Sequence, residues 1–236
     1  MESEAAEIVL RKSPLDVCRV TKADFNRIYF GTLSKERVLV SMYDWKETDG
    51  TKIIQNVGAD PCLILFAFFP NNHVISGHFV SSFPSNFVEL SRLDLEFEEE
   101  RVKENFQKFP FDKIAIPRTE MDRNLSDGFR LESAEKYTMM VRRIGEMVKK
   151  YGSDNVWVYL FGQHFIAHDF EGRKDLDSLH HGLLQRINAN TSLLKAGVSI
   201  GRIVDCRSLV ENTKARSDGT FYIPQNKAIY LFRGEY

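Results

Sequence analysis

One cysteine and one histidine in a single short stretch carry the clearest chemistry in this sequence. In residues 61–84, PCLILFAFFPNNHVISGHFVSSFP, Cys62 opens a continuous apolar run that lasts to Phe69. Pro70-Asn71-Asn72 breaks that run, and a second β-prone run from His73 to Phe83 contains His78. Two apolar runs rich in Phe, Val and Ile about a Pro/Asn break predict neighbouring buried strands. An antiparallel turn between them brings a thiol towards an imidazole. A nucleophilic cysteine needs this pairing, because the thiolate attacks and a nearby imidazole generates it. Asp60-Pro61 forces an irregularity just before Cys62, since Pro61 cannot donate a backbone hydrogen bond and the residue before it is pushed towards extended geometry. Such a break is expected to expose a reactive group.

The elements that must position this pair are legible in part. DFNRIYFGTL (24–33) and RVLVSMYDW (37–45) read as strands, followed by the turn signal ETDGT. KIIQNVGAD then leads into the Cys62 strand. Residues 86–109 are strongly charged and roughly helical in period, and Pro- and Asp-marked residues 110–128 read as irregular, so 87–129 is expected to be an insertion. In residues 132–152, Tyr137, Met140, Val141, Ile144, Met147, Val148 and Tyr151 recur at helical spacing. Ser133 is the expected N-cap there, with Lys149 and Lys150 in the last turn and Gly152 just beyond it. NVWVYLFGQHF predicts a buried strand ending at Gly162, residues 175–196 a helix stopped by Gly197, and VSIGRIVDCR a strand. TFYIP and AIYLF about Gln225-Asn226-Lys227 predict a closing hairpin. Strands outnumber helices, which gives an α+β class: a central mixed or antiparallel sheet, sandwich-like, flanked by two or three helices. Residues 1–50 read as an N-terminal β extension packed on the domain formed by 51–236.

Composition excludes several classes. The 236 residues include 43% hydrophobic and 28% charged types, as expected of a chain with one well-buried core. A formal net charge of −1 gives no attraction to nucleic-acid phosphates or to anionic membrane, so neither is an expected partner. Three cysteines, Cys18, Cys62 and Cys206, form neither a disulfide framework nor a metal knuckle, which suits a reducing cytoplasm. The start, MESEAAEIVLRK, shows no secretory signal, leaving cytoplasmic residence or export by a route without one. His164 with His168, and the pair His180-His181, could suggest metal. His164 and His168 would need a helix to share a face, however, and the local sequence reads strand then loop, so no metal is expected. Thiol and imidazole chemistry requires no organic cofactor.

Several strings resemble the chemoreceptor glutamine deamidases (CheD-like proteins), whose wider fold includes the catalytic domains of cytotoxic-necrotizing-factor-type toxins. GHFVSSFP around His78 is similar to the family pattern of a small residue, His, an apolar pair and then Pro. Residues 134–163 resemble its helix and strand running into Phe-Gly-Gly, 187–206 its Asn-containing helix and following strand, and 218–232 its closing hairpin. The likeness spans residues 52–232 in short strings. Asp60-Pro61 stands where the family has Gly-Ser, and Asn56 where it has a Thr six positions before the cysteine. The N-terminal residues and the 87–129 insertion are extra, which argues against chemoreceptors as the substrate.

The resemblance implies hydrolysis of a glutamine side-chain carboxamide in a protein substrate, whether as a housekeeping enzyme or as a toxin-like effector. Cys62 attacks the amide carbon, ammonia leaves protonated by His78, and water deprotonated by His78 hydrolyses the thioester. Each such proton transfer contributes on the order of 10²–10⁴-fold. A third group must hold the imidazole in its working tautomer; Asn56, Gln55 or a backbone carbonyl just before Gly58 are the candidates. Gly77, Gly162, Gln163 and His164 are expected to line the substrate cleft. Two other readings remain open. One is a protein-interaction module without catalysis, binding through 87–129, with Cys62 and His78 as ordinary core residues. The other is a different cysteine amidohydrolase or peptidase.

Overall fold

The computed structural model describes residues 7–10, 14–31, 35–57, 62–79, 127–162, 189–206 and 215–235. The strand Leu63–Phe68 (β6) lies at the centre. Its sequence, LILFAF, is apolar without alternation because both of its faces are covered. It pairs antiparallel with Val74–Phe79 (β7) on one side and with Trp157–Gly162 (β8) on the other. Asp44–Thr48 (β4) and Ile203–Asp205 (β9) complete a five-stranded sheet in the order β4-β7-β6-β8-β9. A six-stranded sheet is built from Glu7–Leu10 (β1), Asp16–Val20 (β2), Ala215–Ile223 (β10), Ala228–Glu235 (β11), Ile53–Val57 (β5) and Arg37–Val40 (β3). Its order is β1-β2-β11-β10-β5-β3.

The sheets pack face to face. Ile64, Phe66, Val74, Tyr159 and Phe161 of the smaller sheet meet Val17, Val40, Ile54, Tyr222, Ile229 and Leu231 of the larger. Alternation sends Leu63, Leu65, Ala67, Ile75, Phe79, Val158 and Leu160 to the opposite face, under the helix Asp127–Tyr151 (α2) and the helical residues 189–195 (α3). Ile53, Phe221 and Ile223 on the outer face of the larger sheet pack against Phe25 and Ile28 of the helix Lys22–Gly31 (α1). The result is an α+β sandwich flanked, among the described residues, by three helices.

Three local expectations are corrected. Residues 24–33 are not a strand: Thr21 starts α1, with its Oγ1 2.9 Å from Asp24 Oδ2 and accepting from the Asp24 backbone N–H at 3.1 Å. This N-cap was present in the sequence as Thr-x-x-Asp, with the Thr21 hydroxyl donating to Asp24 Oδ2. Phe25 and Ile28, one helical turn apart, bury against the sheet, and the Phe25 ring sits 4.8 Å from that of Phe221. Residues 37–45 are not one strand but the parts of two, because Tyr43, at φ 68, turns the chain from the larger sheet into the smaller. The N-terminal fifty residues therefore contribute strands to both sheets. Finally, α2 starts at Asp127, so Ser133 is inside the helix and is not its cap. The Tyr137-Met140-Ile144-Met147-Val148 stripe and the left-handed Gly152, whose N–H bonds the Val148 carbonyl at 2.8 Å, are as expected. Apart from its last three residues, which begin α2, the 87–129 segment lies outside the described residues.

An ionic cluster ties the smaller sheet to α2. Arg143 Nε and Nη2 bond the two carboxylate oxygens of Glu47 at 2.9 and 2.7 Å, and His73 Nε2 lies 2.7 Å from Glu47 Oε1. Hydrogen bonds from Arg143, opposed by burial and aided by the Arg143 and His73 charges, hold the Glu47 carboxyl below its ordinary range. A carboxyl lowered on folding stabilises fully above its unfolded pKa, about 4.3, and that contribution disappears as pH falls through the folded value. Since the cluster faces solvent, its contribution is at most about 1 kcal/mol. Urea unfolding near pH 7 and again near pH 3 should show Glu47→Gln destabilised in the first case and less so in the second. An equal deficit at both pH values would assign the effect to packing.

Candidate active site

Cys62 is the residue immediately before β6, and His78 lies in the paired β7. The register sets Ile64 opposite His78 and Leu63 opposite Phe79. Cys62 is a bend residue outside the ladder and has no register partner. Strand alternation continued one residue back from Leu63 would put it on the Ile64 and His78 face. In that arrangement the two would be diagonal neighbours, the spacing of which is about 7–8 Å in regular antiparallel strands. Both are buried, Cys62 at 3% and His78 at 0% exposure. This differs from the expected exposure of the thiol: the break at Asp60-Pro61 ends just before the start of a central strand, not on a sheet edge.

That face carries more polarity than the rest of the interlayer. Of the five buried polar residues among those described, Asn56, Ser76, His78 and Thr220 stand on the facing surfaces of the two sheets. Asn56 reaches across the gap, its Nδ2 donating to Ser76 Oγ at 3.2 Å. Thr220 is the register partner of Asn56 within the larger sheet. Among the described residues, Asn56 Oδ1 and Thr220 Oγ1 are buried without a hydrogen-bond partner. A buried polar atom left so costs about 1–3 kcal/mol, so two of them side by side form an arrangement that packing alone does not favour.

Two further residues were not singled out by sequence reasoning. Asp44 is the direct β4 partner of His78, on the same face and with Cβ atoms about 4.5–5.5 Å apart. Burial opposes ionisation of Asp44, yet hydrogen bonds from Lys46 and the Trp45 N–H, with the Lys46 and Lys136 charges, hold its carboxyl below the usual range. Tyr43 donates its backbone N–H to the His78 carbonyl at 2.8 Å. Burial pushes its phenol up, and the neighbouring Cys62 adds to that. Alternation in MYDWKET was the only signal for Asp44, and it was readable only once β4 was known to pair with β7.

The other candidates separate. Gln55 is one residue from Asn56 and therefore on the opposite face; its Oε1 accepts from Arg37 Nη1 at 3.4 Å on the α1 side, so it cannot orient His78. Gly77 faces away from His78 towards α2. A Cβ there would sit 2.5 Å from Met140 Sδ and 2.4 Å from the Phe79 ring, so this glycine serves helix packing and not a substrate cleft. Gly162 pairs with Leu63 at the Cys62 end of β6. Gln163 and His164, like His168, His180 and His181, lie outside the described residues. Cys206 closes β9 with its N–H on the Leu160 carbonyl and is a core residue. Cys18 lies on the interior strand β2, buried, with its thiol pushed up first by burial and then by Asp16.

No protein-family model matches the chain, and no curated protein does. Among solved structures, a hypothetical protein YfiH of Bacillus licheniformis is similar at a TM-score of 0.34 and 9% identity, over 69% of this chain and 49% of that one. The match thus spans about half the length of that protein. A likeness of that size does not bear on chemistry. Among the described residues, no helix is long and apolar enough to cross a membrane.

Proposed function

We propose that the chain is a cysteine-dependent hydrolase that deamidates a glutamine side chain of a protein substrate. What supports this is a buried Cys62 immediately before β6, His78 buried in the paired β7, and an interlayer whose acceptors, Asn56 Oδ1 and Thr220 Oγ1, have no partner among the described residues. A primary carboxamide brings two N–H donors and one carbonyl oxygen. Two acceptors without a partner among the described residues, on the interlayer that also holds His78, suit the donors of such a group and not an ester or a thioether. Cys62 is the nucleophile and His78 the base that takes its proton and returns it to departing ammonia. Asp44, opposite His78, takes the orienting role, since a carboxylate on the far ring nitrogen stabilises the imidazolium. The resemblance to CheD-like and necrotizing-factor-type deamidases supports the same assignment.

With both groups buried, turnover requires the polar end of the sandwich to open, and kcat then reports that motion as well as bond breaking. The test is ammonia release on incubation with glutamine-bearing proteins, read together with mass spectrometry for conversion of glutamine to glutamate. Conversion in the presence of the protein supports the reading; none across a broad panel, with Cys62 no faster than Cys18 or Cys206 towards iodoacetamide, overturns it. The second reading, a non-catalytic interaction module, is favoured by the same burial, and it requires Cys62→Ala to leave every biological effect intact.

A further inference from the structure

A second site lies at the other end of the sandwich. β6 carries the chain from the Cys62 end to Phe68, six residues and about 20 Å away. There the two sheets part around an open cavity of about 830 Å³, a size typical of small-molecule sites. Its rim is made by the turn Pro70–Asn72, left-handed at Asn71 and Asn72, and by three single turns of 3₁₀ helix, Ser153–Asn155, Ile200–Arg202 and Pro224–Asn226. Short turns anchored on strand ends give a preformed wall.

The walls are aromatic and the rim is cationic. Phe68 and Tyr222 meet at 4.8 Å with an interplanar angle of 67°, one from each sheet. The Arg202 guanidinium lies over the Trp157 ring, 4.4 Å from its centre. Lys227, left-handed at φ 49, also lines the cavity. Among the described residues neither Arg202 nor Lys227 is in an ion pair, and Asp154 is the single acidic side chain of the lining, which leaves one net positive charge. Flat π walls favour a planar body, and a guanidinium held over an indole can pair with an anion while continuing the stack. One surplus positive charge suits a monoanion over a polyphosphate.

We propose that this cavity binds a small planar aromatic monoanion, independently of the chemistry at Cys62. The test uses anilinonaphthalene sulfonate, which has both features, with the full chain, and follows dye fluorescence and quenching of Trp157. Saturable binding at one site is expected. Arg202→Gln should weaken it about tenfold or more, anilinonaphthalene lacking the sulfonate should bind at least about tenfold more weakly, and Cys62→Ser should bind as wild type does. Non-saturable binding, or equal affinity for the charged and neutral dyes, would overturn the proposal. So would unchanged affinity in Arg202→Gln/Lys227→Gln protein with a native circular-dichroism spectrum.

Discussion

Cys62→Ser is expected to lower ammonia release from a glutamine-bearing substrate by about 10³-fold or more while leaving the protein folded. The size follows from removing the nucleophile of a covalent mechanism, since a serine hydroxyl in the same place is a far weaker attacking group at neutral pH. His78→Gln should produce a loss of similar order, and the double variant should be little worse than either single one, because groups acting as one unit are strongly non-additive. Asn56→Leu keeps the branched outline but is bulkier and removes both Oδ1 and the Nδ2 that donates to Ser76, and its effect should be smaller, about 10²-fold. A core cysteine and a core histidine would give another pattern. Their substitution would change the unfolding midpoint by amounts that add, with no linked loss of turnover. Glutamine conversion that survives Cys62→Ala at near wild-type rate would remove the mechanism.

Gly50→Ala is expected to destabilise the protein by about 2–4 kcal/mol, read as a lower urea midpoint at unchanged slope. Gly50 has φ +68, in the left-handed region, and a Cβ there would stand 1.9 Å from the Asn72 carbonyl oxygen and 2.9 Å from Val74 Cγ2. The left-handed conformation alone costs an alanine about 1–2 kcal/mol. The remainder arises because the obstacle is backbone: the Pro70–Asn72 turn must move away, and it is fixed at its base by the Phe69 N–H on the His73 carbonyl at 2.9 Å. Because that turn is part of the cavity rim, the same variant should also weaken dye binding. Gly77→Ala, whose obstacles are the Met140 thioether and the Phe79 ring, should cost less, since a methionine end can swing aside. A Gly50→Ala midpoint equal to wild type would mean that the loop between β4 and β5 does not approach this turn so closely.

Sequence alone determined the parts of this protein that depend on neighbours in the chain. Proline and asparagine at 70–72 between two apolar runs specified the antiparallel pair of β6 and β7. Helical spacing from Tyr137 to Val148 specified the buried stripe of α2, and Gly152 its end. Turn chemistry at 224–227 specified the closing hairpin. These signals are local, so no distant contact can overrule them cheaply.

Tertiary structure decided the rest. Alternation says that Gln55 and Asn56 look opposite ways, but only the packing of β5 between β3 and β10 determines that Asn56 faces the polar interlayer and Gln55 faces α1. The alternation in residues 24–33 fits a strand, yet Phe25 and Ile28 bury their apolar surface best as one face of a helix on the larger sheet. The role of Asp44 opposite His78 and that of Gly77 beneath Met140 depend on pairings between segments about thirty to sixty residues apart. A period of two tells which side chains share a face; only the partner that covers each face decides which is interior, and therefore which residues can meet.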